Sequence, residues 1–410
     1  MVPETTASLS RRQVLGASGA VLAATLGARF LPQSTGDDTT RVEWPMSQRD
    51  PGATGYAPTS SGPVTDATIR WKRPLDTGFA AYSVPSPVVA GGVVYAIGQE
   101  LLAVDADSGD VRFRRPYAAG VAPAVERARA YRTPTVAIHN AGGVTALHGH
   151  GGHEVGGRSV AATRWTAPHG RDDDLFDRGG TGVPPVAADG TVLAYADSSL
   201  TAFDASSGRV RWREATAFTR PAVRDGVAYV GVGPGYALGA IDLETGSVER
   251  FELADGFVRA VTATETGLVV GTDDALLGVA FDGSVDWRFD DDAYRGWGDT
   301  RVAVADGTAY TGIDTADSSS LVAIDTADGS LEWESSLSVE HADSFRPPAV
   351  TDDVVYVPTN GGPLVGVERA TGDLAWQFQD GETRSWSAVA LANDALYAVS
   401  DDFLYALEEP

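Results

Sequence analysis

Five of the six histidines lie between His139 and His169, and three of them, His148, His150 and His153, sit in the run HGHGGHEVGGR beside Glu154. Neutral imidazoles with a carboxylate can ligate a transition metal, so this run is a candidate metal site. Helical His-x3-His spacing is absent and the glycines do not preorganise ligands, so a solvated hairpin loop is the competing reading. The stretch Asp105-Ala106-Asp107-Ser108-Gly109-Asp110 resembles a calcium loop. The same slot reads DASSG from Asp204 and DLETG from Asp242, and a repeated turn accounts for the spacing without a cation. Arginines recur just ahead of apolar strands. Arg220 and Arg301 precede PAV and VAV in one register, Arg346 lies one residue earlier, and Arg259 and Arg384 are nearby. Phe218, Phe257, Trp297, Phe345 and Trp386 accompany them. A cationic, aromatic-rimmed funnel would suit a carboxylate or another small anionic ligand. The alternative is that these arginines neutralise nearby aspartates.

The 410-residue chain carries a formal charge of −25 and has no cysteine. Such a charge repels phosphate and excludes a nucleic-acid or anionic-membrane binder held by bulk electrostatics. Without cysteine there are no disulfides, thiolate nucleophiles, Cys-ligated zinc sites or iron–sulfur clusters. A hydrophobic content of 43% suffices for a packed core. Lys72 is the single lysine. An acidic surface that uses arginine in place of lysine resembles that of halophilic archaeal proteins. The runs Asp172-Asp173-Asp174 and Asp290-Asp291-Asp292 read as solvated surface of that kind.

Arg11 and Arg12 precede a short run of small and apolar residues that ends near Phe30. Residues 1–30 are read as a twin-arginine export signal, retained as an anchor if it is not cleaved. Residues 31–70 follow as linker and leader, so the protein is expected outside the cytoplasmic membrane, secreted or at the cell surface, and monomeric.

The elements that would position these side chains are repeats. LLAVDADSGDVRF, LTAFDASSGRVRW and LVAIDTADGSLEW each run from an apolar strand through a turn to a short strand ending in an aromatic. Ahead of each lies a second hairpin with a two-residue turn, such as Asp225-Gly226 or Asp306-Gly307. The aromatic landmarks Trp71, Phe113, Trp165, Trp212, Phe251, Trp287, Trp333 and Trp376 recur about every 42 residues, the period of a four-stranded β-propeller blade. The fold class is therefore all-β, a propeller over 71–410 with eight four-stranded antiparallel blades. The strand around Trp71 would close the ring against the carboxyl-terminal LYALEEP. Seven blades is the fallback, should 122–165 not form a blade. Long loops between blades would gather on one face, the favoured binding face.

AVDADSGDVRF, AFDASSGRVRW, AIDLETGSVERF and AIDTADGSLEW resemble the tryptophan-docking repeat of pyrroloquinoline-quinone-like propellers. The resemblance implies that each aromatic packs on the neighbouring blade. It also implies a choice of function, because the family includes quinone- and calcium-dependent alcohol and glucose dehydrogenases as well as an outer-membrane assembly lipoprotein. No catalytic aspartate or calcium-ligand set carries over onto this sequence. The alcohol-type members stack the quinone on a disulfide of adjacent cysteines, which this chain cannot form. The function expected is an exported binding or scaffolding propeller that presents its loops to a protein or small anionic ligand. The alternative is a quinone-dependent dehydrogenase.

Overall fold

In a computed structural model the chain is described at residues 43–58, 62–78, 85–116, 120–128, 130–140, 142–155, 158–160, 162–168, 182–233, 237–290, 301–314, 319–337, 344–381 and 385–410. Among these residues every regular element is a β-strand. Eight four-stranded antiparallel sheets are present, which settles the blade number at eight. Blade 1 comprises Val88–Ala90, Val93–Ile97, Glu100–Asp105 and Val111–Pro116 in that spatial order. Blades 2 to 7 span 124–168, 186–214, 222–252, 260–289, 303–335 and 349–378. Blade 8 sets Ala390–Ala392, Ala395–Ser400 and Phe403–Glu408 against Thr68–Pro74, which closes the ring between the two ends of the chain.

Each blade grades from buried to exposed. The first strands are apolar and buried, as in VVA at 88–90 and AVA at 303–305. The outer strands alternate, so that in Val210–Glu214 only Trp212 is buried. A register shift next to the docking aromatic recurs in blades 1, 2, 3, 5, 6, 7 and 8. Such a bulge bends the outer strand and re-aims the aromatic toward the next blade.

The docking partner is the turn of that next blade. Gly208 (φ +68°) lies so close under Trp165 that a Cβ there would sit 2.6 Å from the indole. The left-handed turn and the close approach both demand glycine. Six tryptophans add a hydrogen bond across the interface: Trp71 Nε1 donates to Ala106 O (2.9 Å), Trp165 to Ala205 O (2.9 Å), Trp212 to Leu243 O (2.9 Å), Trp287 to Thr326 O (2.6 Å), Trp333 to Arg369 O (3.1 Å) and Trp376 to Pro63 O (3.0 Å). Phe113 and Phe251 occupy the remaining two positions, over Gly151 and Gly283. The turns beneath them are shorter: Gly151 N bonds His148 O and Gly283 N bonds Ala280 O, three residues back. Under five of the six tryptophans the same glycine bonds four residues back, as Gly208 does to Asp204. Phenylalanine suits the shorter turn because it brings no N–H that would need a carbonyl.

Replacement of Trp212 separates the two parts of this contact. Trp212→Phe is expected to cost about 1 kcal/mol through the lost hydrogen bond. Trp212→Ala is expected to cost about 3–5 kcal/mol through the emptied site. Denaturant midpoints measure both, and equal losses would refute the division.

Candidate functional site

The centre of the ring is occupied by the chain itself. The inner strands turn an unpaired edge toward the axis, and such an edge needs a partner. The leader supplies it. Trp44 exchanges backbone hydrogen bonds with Val89 of blade 1 (2.9 and 2.8 Å). Val125 N then donates to Pro45 O (2.7 Å), Val223 N to Pro51 O (2.7 Å), Ala263 N to Gly52 O (2.8 Å), Val304 N to Thr54 O (2.8 Å) and Val350 N to Gly55 O (2.8 Å). These donors belong to blades 2, 4, 5, 6 and 7, and Met46 packs with Ala124 and Val186 of blades 2 and 3. Trp44, Met46, Ser47, Ala53 and Ala57 are buried in consequence. Prolines are tolerated because the segment contributes mainly carbonyls.

Both ends of this belt lie at the tight-turn face. Glu43 accepts a hydrogen bond from Gly91 N (2.8 Å) in the first turn of blade 1. The Tyr56 hydroxyl donates to Asp306 (2.8 Å) and Asp352 (2.7 Å) in the turns of blades 6 and 7. Between them the segment curls, with Gln48, Arg49 and Ala53 at positive φ and Asp50 capping Thr54 N at 3.0 Å. This curl reaches the level where the inner strands begin. There Gln48 Nε2 donates to Val302 O (3.3 Å).

Four of the five arginines expected at the channel mouth lie among the described residues, and their surroundings differ. Arg220 is buried and donates to Ser47 O (2.9 Å), Asp50 O (3.1 Å) and Pro221 O (3.1 Å). Its guanidinium therefore grips the leader. Burial, opposed by Asp50 and aided by nearby Arg301, lowers its pKa to about 10. It stays cationic at neutral pH. Arg301 and Arg346 are half-buried at the entries to blades 6 and 7. Arg259 is exposed and pairs with Asp273 at 2.5 Å, as the neutralising alternative expects. It also lies over the Phe257 ring at 5.7 Å. Trp386, expected at the rim, has no exposed surface: it packs between Phe378 of blade 7 and Tyr405 of blade 8, so that placement is corrected. Trp297 and Arg384 lie outside the described residues, as do residues 1–30, expected to be an export signal, and the Asp172–Asp174 run. Phe218 and Phe257 meet edge to face at 6.5 Å on blades 4 and 5 and remain 36% and 43% exposed.

His148, His150 and His153 do come together, with ring centroids 5.8 and 5.3 Å from His148. They form the docking turn of blade 2, on which Phe113 rests. His148 Nδ1 accepts from His150 N (3.1 Å) and its Nε2 faces the Thr133 hydroxyl (3.1 Å), so both nitrogens are engaged. Among the described residues no three His, Cys, Asp or Glu side chains are arranged to hold a metal ion. Burial first, then the positive charges of Arg164, His150 and His153, lowers the His148 pKa to about 4.

Fold and axis define a docking-motif propeller whose inner strands are bonded to its own leader. The chain belongs to the pyrroloquinoline-quinone-like repeat family described as outer membrane protein assembly factor BamB, whose profile matches residues 63–250, 162–293 and 254–409. No curated protein matches the chain. Among solved structures it is similar to BamB from Moraxella catarrhalis, with 15% identity, a TM-score of 0.59, and 83% of this chain and 99% of that one covered. It is also similar to the quinohemoprotein alcohol dehydrogenases ADHIIG of Pseudomonas putida HK5 and of Comamonas testosteroni. Identity is 12% to each, TM-scores are 0.65 and 0.66, and coverage is 90% of this chain and 81% and 80% of theirs. At these identities the likeness shows the fold alone. The leader curl does not fit a quinone with calcium: its one carboxylate, Asp50, bonds Thr54 and stands beside Arg49 and Arg220, whereas calcium takes several oxygen ligands.

Two outcomes test this site. Arg220→Ala is expected to destabilise the ring by about 1–3 kcal/mol, since the leader carbonyls lose their buried donor. Trypsin should then cut after Arg49 in the variant and spare the parent chain, as mass spectrometry can record. Because the folded His148 pKa lies below its ordinary 6.5, its contribution to stability is complete above pH 6.5 and lost as pH falls toward 4. His148→Asn should flatten stability across that window.

Proposed function

We propose that the ring is an exported binding module whose loop face takes a protein partner, with Phe218, Phe257 and Arg259 at the centre of contact. The observation that carries this reading is the exposed edge-to-face pair on blades 4 and 5, flanked by a cation. Aromatic and arginine side chains are the groups that anchor protein interfaces. The family description, an assembly factor, supports a role that holds other proteins rather than one that transforms a small molecule. The paired arginines at 11 and 12 support export by the twin-arginine route, and the charge of −25 suits solubility at high salt.

Photocrosslinking in the source cell tests the partner. Phe257→p-benzoylphenylalanine should give one discrete adduct, and the same group at Val210, exposed on an outer strand, should give none. Equal labelling from both positions would defeat the proposal. The dehydrogenase neighbours support quinone-dependent oxidation as the competing reading. Purified protein with added pyrroloquinoline quinone and calcium is expected to show no dye-linked alcohol oxidation, and turnover would reverse the assignment.

A further inference from the structure

Blades 1 and 3 solve the same local problem in the same way. In blade 3 Asp204 begins the docking turn. One carboxylate oxygen, Oδ1, accepts the turn amides of Ser206 (3.2 Å) and Ser207 (3.0 Å). The other, Oδ2, pairs with Arg211 at 2.8 Å, and Arg211 also donates to the Thr191 hydroxyl (2.7 Å). The Asp204 carboxyl is held below its ordinary pKa first by Arg211 and then by Ser207. In blade 1 Asp105 Oδ1 takes the amides of Asp107 and Ser108 (3.1 and 3.0 Å), and its Oδ2 pairs with Arg112 at 2.5 Å.

Blade 2 keeps the arginine of both blades and the threonine of blade 3, on a shorter turn, but not the charge. Thr135 pairs with His148 as Thr191 pairs with Asp204, and Arg164 precedes Trp165 as Arg211 precedes Trp212. His148 Nδ1 takes the turn amide of His150 and so replaces Oδ1. Among the described residues nothing replaces Oδ2. Arg164 turns instead to the Thr133 carbonyl (3.0 Å), the Thr133 hydroxyl (2.6 Å) and the Thr135 hydroxyl, with its guanidinium 4.0 Å over the Tyr131 ring. Among the described residues no carboxylate pairs with it. The Thr133 oxygen already accepts from Arg164 and faces His148 Nε2, so its own hydrogen can point outward. The other charged or titratable groups around the site are His150, His153, Arg112 with its Asp105, and the Tyr95 hydroxyl, which donates to Gly149 O. None of these supplies Arg164 with an anion.

We propose that this corner of blade 2 is an oxyanion site, in which a small carboxylate or phosphate from solution takes the place that the aspartate Oδ2 fills in blades 1 and 3, held by Arg164, the Thr133 hydroxyl and the histidine rim. It lies on the tight-turn face, apart from the loop face assigned to a partner, and does not depend on that assignment.

The natural control is His148→Asp, which restores the internal carboxylate of the sister blades and should fold. The full chain is titrated with acetate, and separately with inorganic phosphate, at constant ionic strength set by chloride. Histidine side-chain NMR shifts and the unfolding temperature are read together. The parent should show saturable shifts of His148 and His150 with a rise in unfolding temperature. His148→Asp should weaken binding at least tenfold while unfolding at a higher temperature than the parent without added anion. Arg164→Gln should abolish the saturable response. Acetate without phosphate would assign a carboxylate, and phosphate without acetate a phosphate. No saturable shift in the parent, or equal binding by parent and His148→Asp, would overturn the proposal.

Discussion

Eight inner strands facing one axis create a constraint that a single blade does not have. Each presents backbone donors to a shared interior, and a buried amide without an acceptor costs on the order of 1–3 kcal/mol. The leader meets this constraint for blade after blade with the carbonyls of Pro45, Pro51, Gly52, Thr54 and Gly55. Much else follows from that choice. Arg220 is drawn inward to grip the curl, and Asp50 is occupied in shaping it.

The perimeter is governed by a different interaction, the aromatic laid on the neighbour's turn. Its two versions are matched to turn length. Indoles sit over turns whose glycine bonds four residues back, and phenyl rings sit over turns whose glycine bonds three back. At the seam no turn exists, so Pro63 O accepts from Trp376, and the Glu409 carboxylate caps the amides of Val64 and Thr65 from the opposite end of the chain. Lys72 adds its own tie there, to Asp380 and over the Phe403 ring at 3.9 Å.

The repeat pattern made the ring legible. The aromatic spacing, the Asp-Gly turns and the two incomplete ends are local or periodic features, and blade count and closure follow from them. The site was far less legible, because its contacts join residues that no period relates. Gln48 reaches Val302 and Tyr56 reaches Asp352 across some 250–300 positions. WPMSQRDPGATGYAP is recognisable as a leader but carries no mark of where it docks. Arg220 and Arg259 share a local context and have opposite fates: one meets the leader and the other meets Asp273. Trp386 sits beside loop arginines in sequence, yet its strand position turns it into the core. The His148 substitution was visible as an unusual run of histidines. Its meaning depended on the Arg–Asp pairs of the flanking blades, which only the folded register brings into comparison.

Ring folds built from neighbour contacts can form piecemeal, each blade stabilised by the ones beside it. The belt alters the order of events. Its residues leave the ribosome before any blade, but their last acceptors and donors, at Val350 and Asp352, are made about 300 residues later. Closing so long a loop waits on the rest of the molecule. A segment made ahead of every blade is therefore fully seated only after blade 7 has been made, and its burial joins blades far apart in the chain.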